Sequence, residues 1–241
     1  MATGNSPPDI AAFAPATFIP RDQSGEFVVP PAAHTLAGFR AWALSEDFPD
    51  RGRMTFVGGE LIIDMSPEYF ETHNLIKTEI TAVIYGLVKA RRSGQVFSDR
   101  YFFSNPAAGV STEPDAMFAN SSSLRDGRCR VVRSSQPGIG EELVGSPDWV
   151  LEILGPSSRR KDTKLLRDAY FQAGIPEYWL VDALGEEVDF QILVPEANGY
   201  VAVEAKAGWL ASPTFRSAFR LTREPGDDGF WQYTLHVQEK T

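Results

Sequence analysis

The chain has 241 residues, 43% of them apolar, 12% aromatic and 23% charged, a composition that supplies a core and excludes wholesale disorder. Lys and Arg total 23 against 32 Asp and Glu, a formal charge of −9, which excludes non-specific coating of nucleic acid and requires any such binding to be local. The single cysteine, Cys129, excludes an intramolecular disulfide framework and a Cys-based zinc cluster, and fits a reducing, cytoplasmic setting.

Residues 1–33 hold Pro7, Pro8, Pro15, Pro20, Pro30 and Pro31 among scattered alanines, which breaks helices and removes ladder donors. A mobile or surface-draped leader is expected there, followed by one domain over 34–241. The N-terminus has no basic segment ahead of its weakly apolar part, which argues against a signal peptide. No stretch approaches the roughly 18 uninterrupted apolar residues of a bilayer span. Leu36, Phe39, Trp42 and Ala43 recur at helical spacing behind Thr35, a capping residue. Residues 53–65 read as a hairpin with Gly58-Gly59 as its tight turn. Ser66 and Pro67 are expected to open a long helix with Leu75, Ile76, Ile80, Val83, Ile84, Leu87 and Val88 as its apolar stripe, ended by Gly94.

Residues 96–103 and 112–118 read as two strands, and 120–145 as turns around a short strand at RCRVV. The strongest buried strand is 146–154, interrupted by one acid, Glu152. After a turn at Gly155-Pro156-Ser157-Ser158, Asp162 is expected to cap a helix with Leu165, Leu166, Ala169, Tyr170 and Ala173 on one face and Gly174 at its end. Residues 178–182 form the next strand, and 188–193 with 200–203 a hairpin across Asn198-Gly199. Helices interspersed with strands in this order indicate a mixed α/β fold.

Buried strands are ordinarily apolar, because an unpaired carboxylate in a dry core is costly or neutralises itself. Asp115, after Glu113-Pro114, and Glu152, between Leu151 and Ile153, break that rule. If their strands are neighbours, the two carboxylates converge on a divalent cation that offsets their repulsion and desolvation. Asp148 shares Glu152's strand face by the period of two, as a third ligand or as an acid at the strand's start. The stretch 157–167 then supplies Arg159, Arg160, Lys161, Lys164 and Arg167, phosphate contacts beside a candidate metal site that the free N–H groups of the following helix reinforce. A second basic group, Arg125, Arg128, Arg130 and Arg133, reads more readily as a solvated loop than as a DNA footprint. No P-loop, G-x-G-x-x-G, G-x-S-x-G or H-E-x-x-H motif is present, which removes the commonest nucleotide-binding and hydrolase readings.

Six ordered blocks carry a family resemblance: GGELIIDMSPE (58–68) with His73 following, VFSDR (96–100), EPDAMF (113–118), SPDWVLEIL (146–154), SSRRKDT (157–163) and AGIPEYWLVDA (173–183). Over about residues 34–222 the chain resembles the Uma family of candidate restriction endonucleases, a branch of the PD-(D/E)-x-K nuclease superfamily. The resemblance implies a restriction-endonuclease-like core, a central mixed β-sheet flanked by α-helices. It also implies a metal-dependent endonuclease that hydrolyses phosphodiester bonds, with DNA expected over RNA. Asp115 and Glu152 become the ligands of Mg2+ or Mn2+, the ions that hard oxygen donors favour over zinc. Leu154 stands where the superfamily pattern has its lysine, so that role is sought on the following segment, at Lys161 first and Lys164 second. Glu60 and His73 match family positions with a supporting role.

Each of these residues also has a structural reading. Glu60 could pair with Arg53 or Arg100, His73 could be a helix histidine packed on the sheet, Lys161 could pair with Asp162, and Lys164 could be a helix-surface cation. Glu177 and Asp182 read as the polar ends of a core strand. For the whole chain, the alternative is a catalytically inactive nuclease fold that binds nucleic acid or protein, a reading supported by the displaced lysine and the charge of −9. A homodimer is expected if both strands of a duplex are cut, since twofold symmetry then matches the substrate.

Overall fold

Thr35 caps the first helix as its sequence requires, with Oγ1 accepting from the amide of Gly38 at 3.1 Å at the start of α1 (Leu36–Ala43). The computed structural model describes residues 27–133 and 141–239. Most of the expected leader, 1–26, therefore lies outside the described residues, while a 3-10 turn at Pro31–His34 packs Ala33 beside Phe39. The hairpin forms as β1 (Arg53–Val57) and β2 (Glu60–Asp64), and its turn places Gly58 and Gly59 at φ of 60° and 79°, which glycine adopts without steric cost.

Ser66 does not cap the long helix. Its amide and hydroxyl both donate to Asp64 Oδ1, at 2.9 and 2.5 Å, and helical structure starts with a wide π turn at Phe70–Asn74 that leads into α2 (Leu75–Arg91). Nor does Gly94 end that helix, because Arg92 takes the left-handed position with φ of 51°. Gly94 instead opens β3 (Gly94–Ser98), where a Cβ would lie 2.1 Å from the carbonyl oxygen of Ala119.

Both expected strands beside the site divide. The first splits at Asp99-Arg100 into β3 and β4 (Phe102–Asn105), and the second at Glu113-Pro114-Asp115 into β5 (Val110–Thr112) and β6 (Ala116–Asn120). At each break the chain crosses from one sheet to another. Then follow α3 (Ser121–Arg125), β7 (Cys129–Arg133), β8 (Glu141–Gly145) and β9 (Trp149–Ile153). The next helix begins after Ser158, widens into a π turn at Lys161–Leu166, continues as α4 (Arg167–Gln172), and ends at Gly174 with φ of 68°. Asp162 is thus buried inside a helix and is not its cap. The chain finishes with β10 (Tyr178–Asp182), β11 (Asp189–Glu196), β12 (Gly199–Ala202), β13 (Leu210–Ser212), β14 (Ser217–Pro225) and β15 (Trp231–Glu239).

The α/β class stands, with the strands distributed over more than one sheet. The central sheet has six strands in the order β12-β11-β10-β9-β6-β3, with β9 and β10 parallel. A second six-stranded sheet runs β2-β1-β5-β4-β8-β7, and β13-β14-β15 form a third. Alternate residues of the central sheet feed two cores. On one face Trp149, Leu151, Ile153, Trp179 and Val181 pack against Ile76, Ile80 and Ile84 of α2 and against Phe219 and Leu235 of the third sheet. On the other, Val150, Leu154, Tyr178 and Leu180 meet Leu166, Ala169 and Tyr170 and the inner side of the second sheet at Phe103, Val110 and Leu143. Among the described residues no helix is long and apolar enough to cross a membrane.

Candidate active site

Asp115 and Glu152 come together because β6 and β9 pair antiparallel. Asp115 stands one residue before β6, where its amide donates to the carbonyl of Leu151 at 3.1 Å. Its Oδ2 accepts from the amide of Ile153 at 2.8 Å. Glu152 lies between those two β9 residues and points to the face of Val150 and Leu154, toward α4. There Tyr170 donates its hydroxyl hydrogen to Glu152 Oε1 at 2.6 Å. Each acid is only 3% exposed, yet both line one pocket with Arg53, His73, Lys161 and Asp162.

Lys161, the first candidate for the lysine that the strand lacks, enters from the helix. Leu154, at the superfamily lysine position, is buried in the core. A turn at 155–158, in which the Gly155 amide donates to Ser158 Oγ at 3.0 Å, reverses the chain. The wide turn at Lys161–Leu166 then sets Lys161 in the pocket, and such turns are frequent at functional sites. Lys161 Nζ lies 2.9 Å from Asp162 Oδ1. Lys164 is exposed and outside the pocket lining.

His73 comes from the other π turn. Its Nε2 is 3.3 Å from Asp115 Oδ2, and its Nδ1 is 2.8 Å from Glu68 Oε1. Arg53 bridges the same two acids, at 3.4 Å to Asp115 Oδ1 and 3.5 Å to Glu68 Oε2. Buried Lys77 contacts Glu68 Oε1 at 2.6 Å and Asp99 Oδ1 at 3.0 Å. Asp115 is therefore backed by a ladder of alternating charge.

The remaining expected residues lie elsewhere. Glu60, on β2, pairs at 3.1 Å with Arg160, not with Arg53 or Arg100, and does not line the pocket. Arg159 pairs with Asp182 at 2.6 Å, and Arg167 donates to the carbonyl of Tyr200 at 2.6 Å. Asp148 accepts from the amide and side chain of Asn120, from Ser123 Oγ and from Arg128 Nη1 at 2.7–3.0 Å, so it ties the opposite end of β9 to β6 and α3. Of the second basic group, Arg128 is engaged with Asp148, and Arg133 pairs with Glu141 at 2.9 Å.

The pocket separates the two acids electrostatically. Burial opposes ionisation of Asp115, but the hydrogen bond and charge of His73, followed by Arg53 and the Ile153 amide, hold it down to about 2. Burial pushes Glu152 well above the usual carboxylate range; Asp162 and Asp115 add to that, and Lys161 opposes it. For Lys161, burial favours the neutral amine, yet Asp162 and Glu152 outweigh it and keep the ammonium charged. His73 is likewise raised, because Asp115 outweighs its desolvation.

Arg53, Glu68, Lys77, Asp162 and Tyr170 join the site without having been marked by sequence. Asp162 and Glu68 do carry a signal, as acids inside the SSRRKDT and GGELIIDMSPE blocks. Tyr170 falls on the expected apolar face of its helix, and only the register of β9 reveals that its hydroxyl meets an acid.

A solved structure from Anabaena variabilis ATCC 29413, described as a "putative nuclease belonging to DUF820", is similar at 23% identity and a TM-score of 0.54, covering 75% of this chain and 90% of that one. At that identity it establishes the shared fold. No curated protein matches the chain. The model of the Uma2 family, described as "Putative restriction endonuclease", matches residues 36–224, a span that includes every side chain of the pocket, and the chain belongs to that family.

Proposed function

We propose that the chain is a divalent-metal-dependent endonuclease that hydrolyses phosphodiester bonds, with DNA as its substrate and Mg2+ or Mn2+ as its cation. The observation that carries this reading is the meeting of Asp115, Glu152 and Lys161 in one pocket from three separate stretches of the chain. The donor set fits a hard cation: two buried carboxylates whose repulsion helps raise Glu152 gain from a positive charge between them. Among the described residues no group of three or more His, Cys, Asp or Glu side chains is placed so that it could hold a metal ion, so the protein donors are these two carboxylates. Two carboxylates are a donor set of the kind by which magnesium is commonly held, with water and substrate phosphate completing it. Asp115 and Glu152 would be its protein ligands.

Such a cation, when bound, supplies Lewis acidity to the phosphate and to the attacking water. The chain's own residues supply the rest. Lys161, held protonated, donates hydrogen bonds to phosphate oxygens as charge gathers on them in the transition state. His73, Arg53 and the Ile153 amide keep Asp115 ionised and fixed, while the Tyr170 hydroxyl orients Glu152. A homodimer would present one such pocket to each strand of a duplex. The rival reading, a binder of nucleic acid or protein that does not cut, is favoured by the charge of −9 and by the internal engagement of Arg159, Arg160 and Arg167.

The test is cleavage of plasmid, short single-stranded DNA and RNA at low salt, with Mg2+, Mn2+ or a chelator. Cutting should require the cation and fall on the order of 100-fold or more in Asp115→Asn, Glu152→Gln and Lys161→Ala, and far less in Lys164→Ala. Failure to cut any polymer, together with no cation binding by calorimetry, sinks the reading in favour of the binder.

A further inference from the structure

Among the described residues, only Asp99 and Arg100 are consecutive non-glycine residues with positive φ, at 39° and 57°. Side chains rarely adopt that conformation, and such strain persists only where the surroundings over-determine it. Here they do. The Asp99 amide donates to the carbonyl of Asp115 at 3.3 Å, and the Asp99 carboxylate accepts from buried Lys77 at 3.0 Å. Across the turn the rings of Phe97 and Tyr101 pack with centroids 5.0 Å apart. This clamp holds Arg100 exposed, one residue from a backbone bonded directly to Asp115. Arg53, Lys77 and Lys161 face acids within the site, and Arg159 and Arg160 face acids outside it. Arg100 has no hydrogen-bond or ion-pair partner among the described residues. Nearby Glu113 carries a buried oxygen without a hydrogen-bond partner, and Arg100 is the first of the cations that act on its carboxyl.

From this geometry we infer that Arg100 is a substrate contact of the site, a guanidinium displayed on a strained turn to bind a phosphate of the nucleic-acid backbone. The inference rests on the nuclease reading above and names a contact outside the pocket lining. The strain has a function-specific signature. A glycine at position 100 relieves the backbone and removes the cation together, so stability and binding should move in opposite directions. A residue serving only the fold has no reason to behave that way.

The experiment measures binding of a short fluorescein-labelled DNA, as duplex and as single strand, by anisotropy in EDTA over a salt series. Native protein, Arg100→Gly and Arg100→Lys are compared, each also melted thermally. Arg100→Gly should melt about 2–4 °C higher and bind more weakly, with the slope of log K against log salt reduced in magnitude by about 0.9 on duplex or about 0.7 on single strand, the loss of one phosphate contact. Arg100→Lys should retain the native slope. If Arg100→Gly keeps native affinity and slope, or melts lower than native, the assignment of Arg100 is overturned, and metal-dependent cutting by the native chain would still support the nuclease. If the native chain binds neither DNA, the assignment of Arg100 falls, while the nuclease reading still stands or falls on the cleavage assay with Mg2+ or Mn2+ above.

Discussion

The amide of Ile153 donates to Asp115 Oδ2 at 2.8 Å, so the backbone that follows one acid fixes the carboxylate of the other. Site and strand pairing are one structure at this point. Asp115→Ala removes the acceptor and should expose the Ile153 amide to faster hydrogen exchange, by local opening of β6 from β9. Asp115→Asn keeps a carbonyl acceptor there and should leave that amide far better protected. Equal exchange in the two variants, followed by NMR, would show that the carboxylate does not hold the strand.

Asp148 and Glu152 occupy the same strand face and should answer differently to substitution. Asp148 is buried with four donors around it, including Arg128 at 2.9 Å. Asp148→Ala should therefore lower the unfolding free energy by about 2–3 kcal/mol in urea titration. Glu152→Gln should cost less than this, because it removes a carboxylate that burial and two neighbouring acids disfavour. The opposite ranking would make Glu152 the structural acid.

Gly94 and Gly86 form a matched pair. A Cβ at Gly94 would meet the Ala119 oxygen at 2.1 Å and Asn120 Cα at 2.7 Å, whereas at Gly86, on α2, it would meet nothing within 4 Å. Gly94→Ala should destabilise by at least about 2 kcal/mol through forced separation of β3 and β6. Gly86→Ala should stabilise by about 0.5–1 kcal/mol from helix propensity alone. Denaturant midpoints measure both.

Cys129 predicts an alkaline effect. Burial, aided by the charge of Asp148, raises its thiol from 9.0 to about 11. A group raised on folding contributes its stability in full below the unfolded value and loses it as pH climbs through the folded one. Unfolding free energy should fall between about pH 9 and 11, and the fall should be smaller in Cys129→Ala. Identical pH profiles for the two proteins would dismiss the buried thiol as a cause. Thiol reagents should likewise leave native Cys129 unmodified and react once the chain unfolds.

Local chemistry made much of this fold legible. Gly58-Gly59 between apolar runs gave the hairpin, Gly174 the helix end, and the alternation around Glu152 the face on which it sits. The breaks at Asp99-Arg100 and Glu113-Pro114 were not legible. An extended run reads the same whether it stays in one sheet or crosses to another, and neither Asp nor Arg advertises a positive φ. Ser66 and Asp162 have the chemistry of helix caps, but one is captured by Asp64 and the other is drawn inward beside Lys161. No element is expected after Val203, although Trp231, Tyr233, Leu235 and Val237 alternate with polar residues as a half-buried strand should. The site's acids were visible because a carboxylate in an apolar strand demands a reason. Arg53, Lys77 and Tyr170 were not, since long-range pairing alone brings them there.

The antiparallel match of Ala116 with Leu151 has a consequence for preparing the protein. A chain whose β9 joined β6 one residue out of step would turn the Glu152 side chain onto the face now held by Leu151 and Ile153, against Trp179 and Ile80, and take the Ile153 amide away from Asp115. Its helices and most of its strands would survive, and circular dichroism would record full recovery. Only a readout of the junction itself, such as slow hydrogen exchange of the Ile153 amide, separates true refolding from this counterfeit.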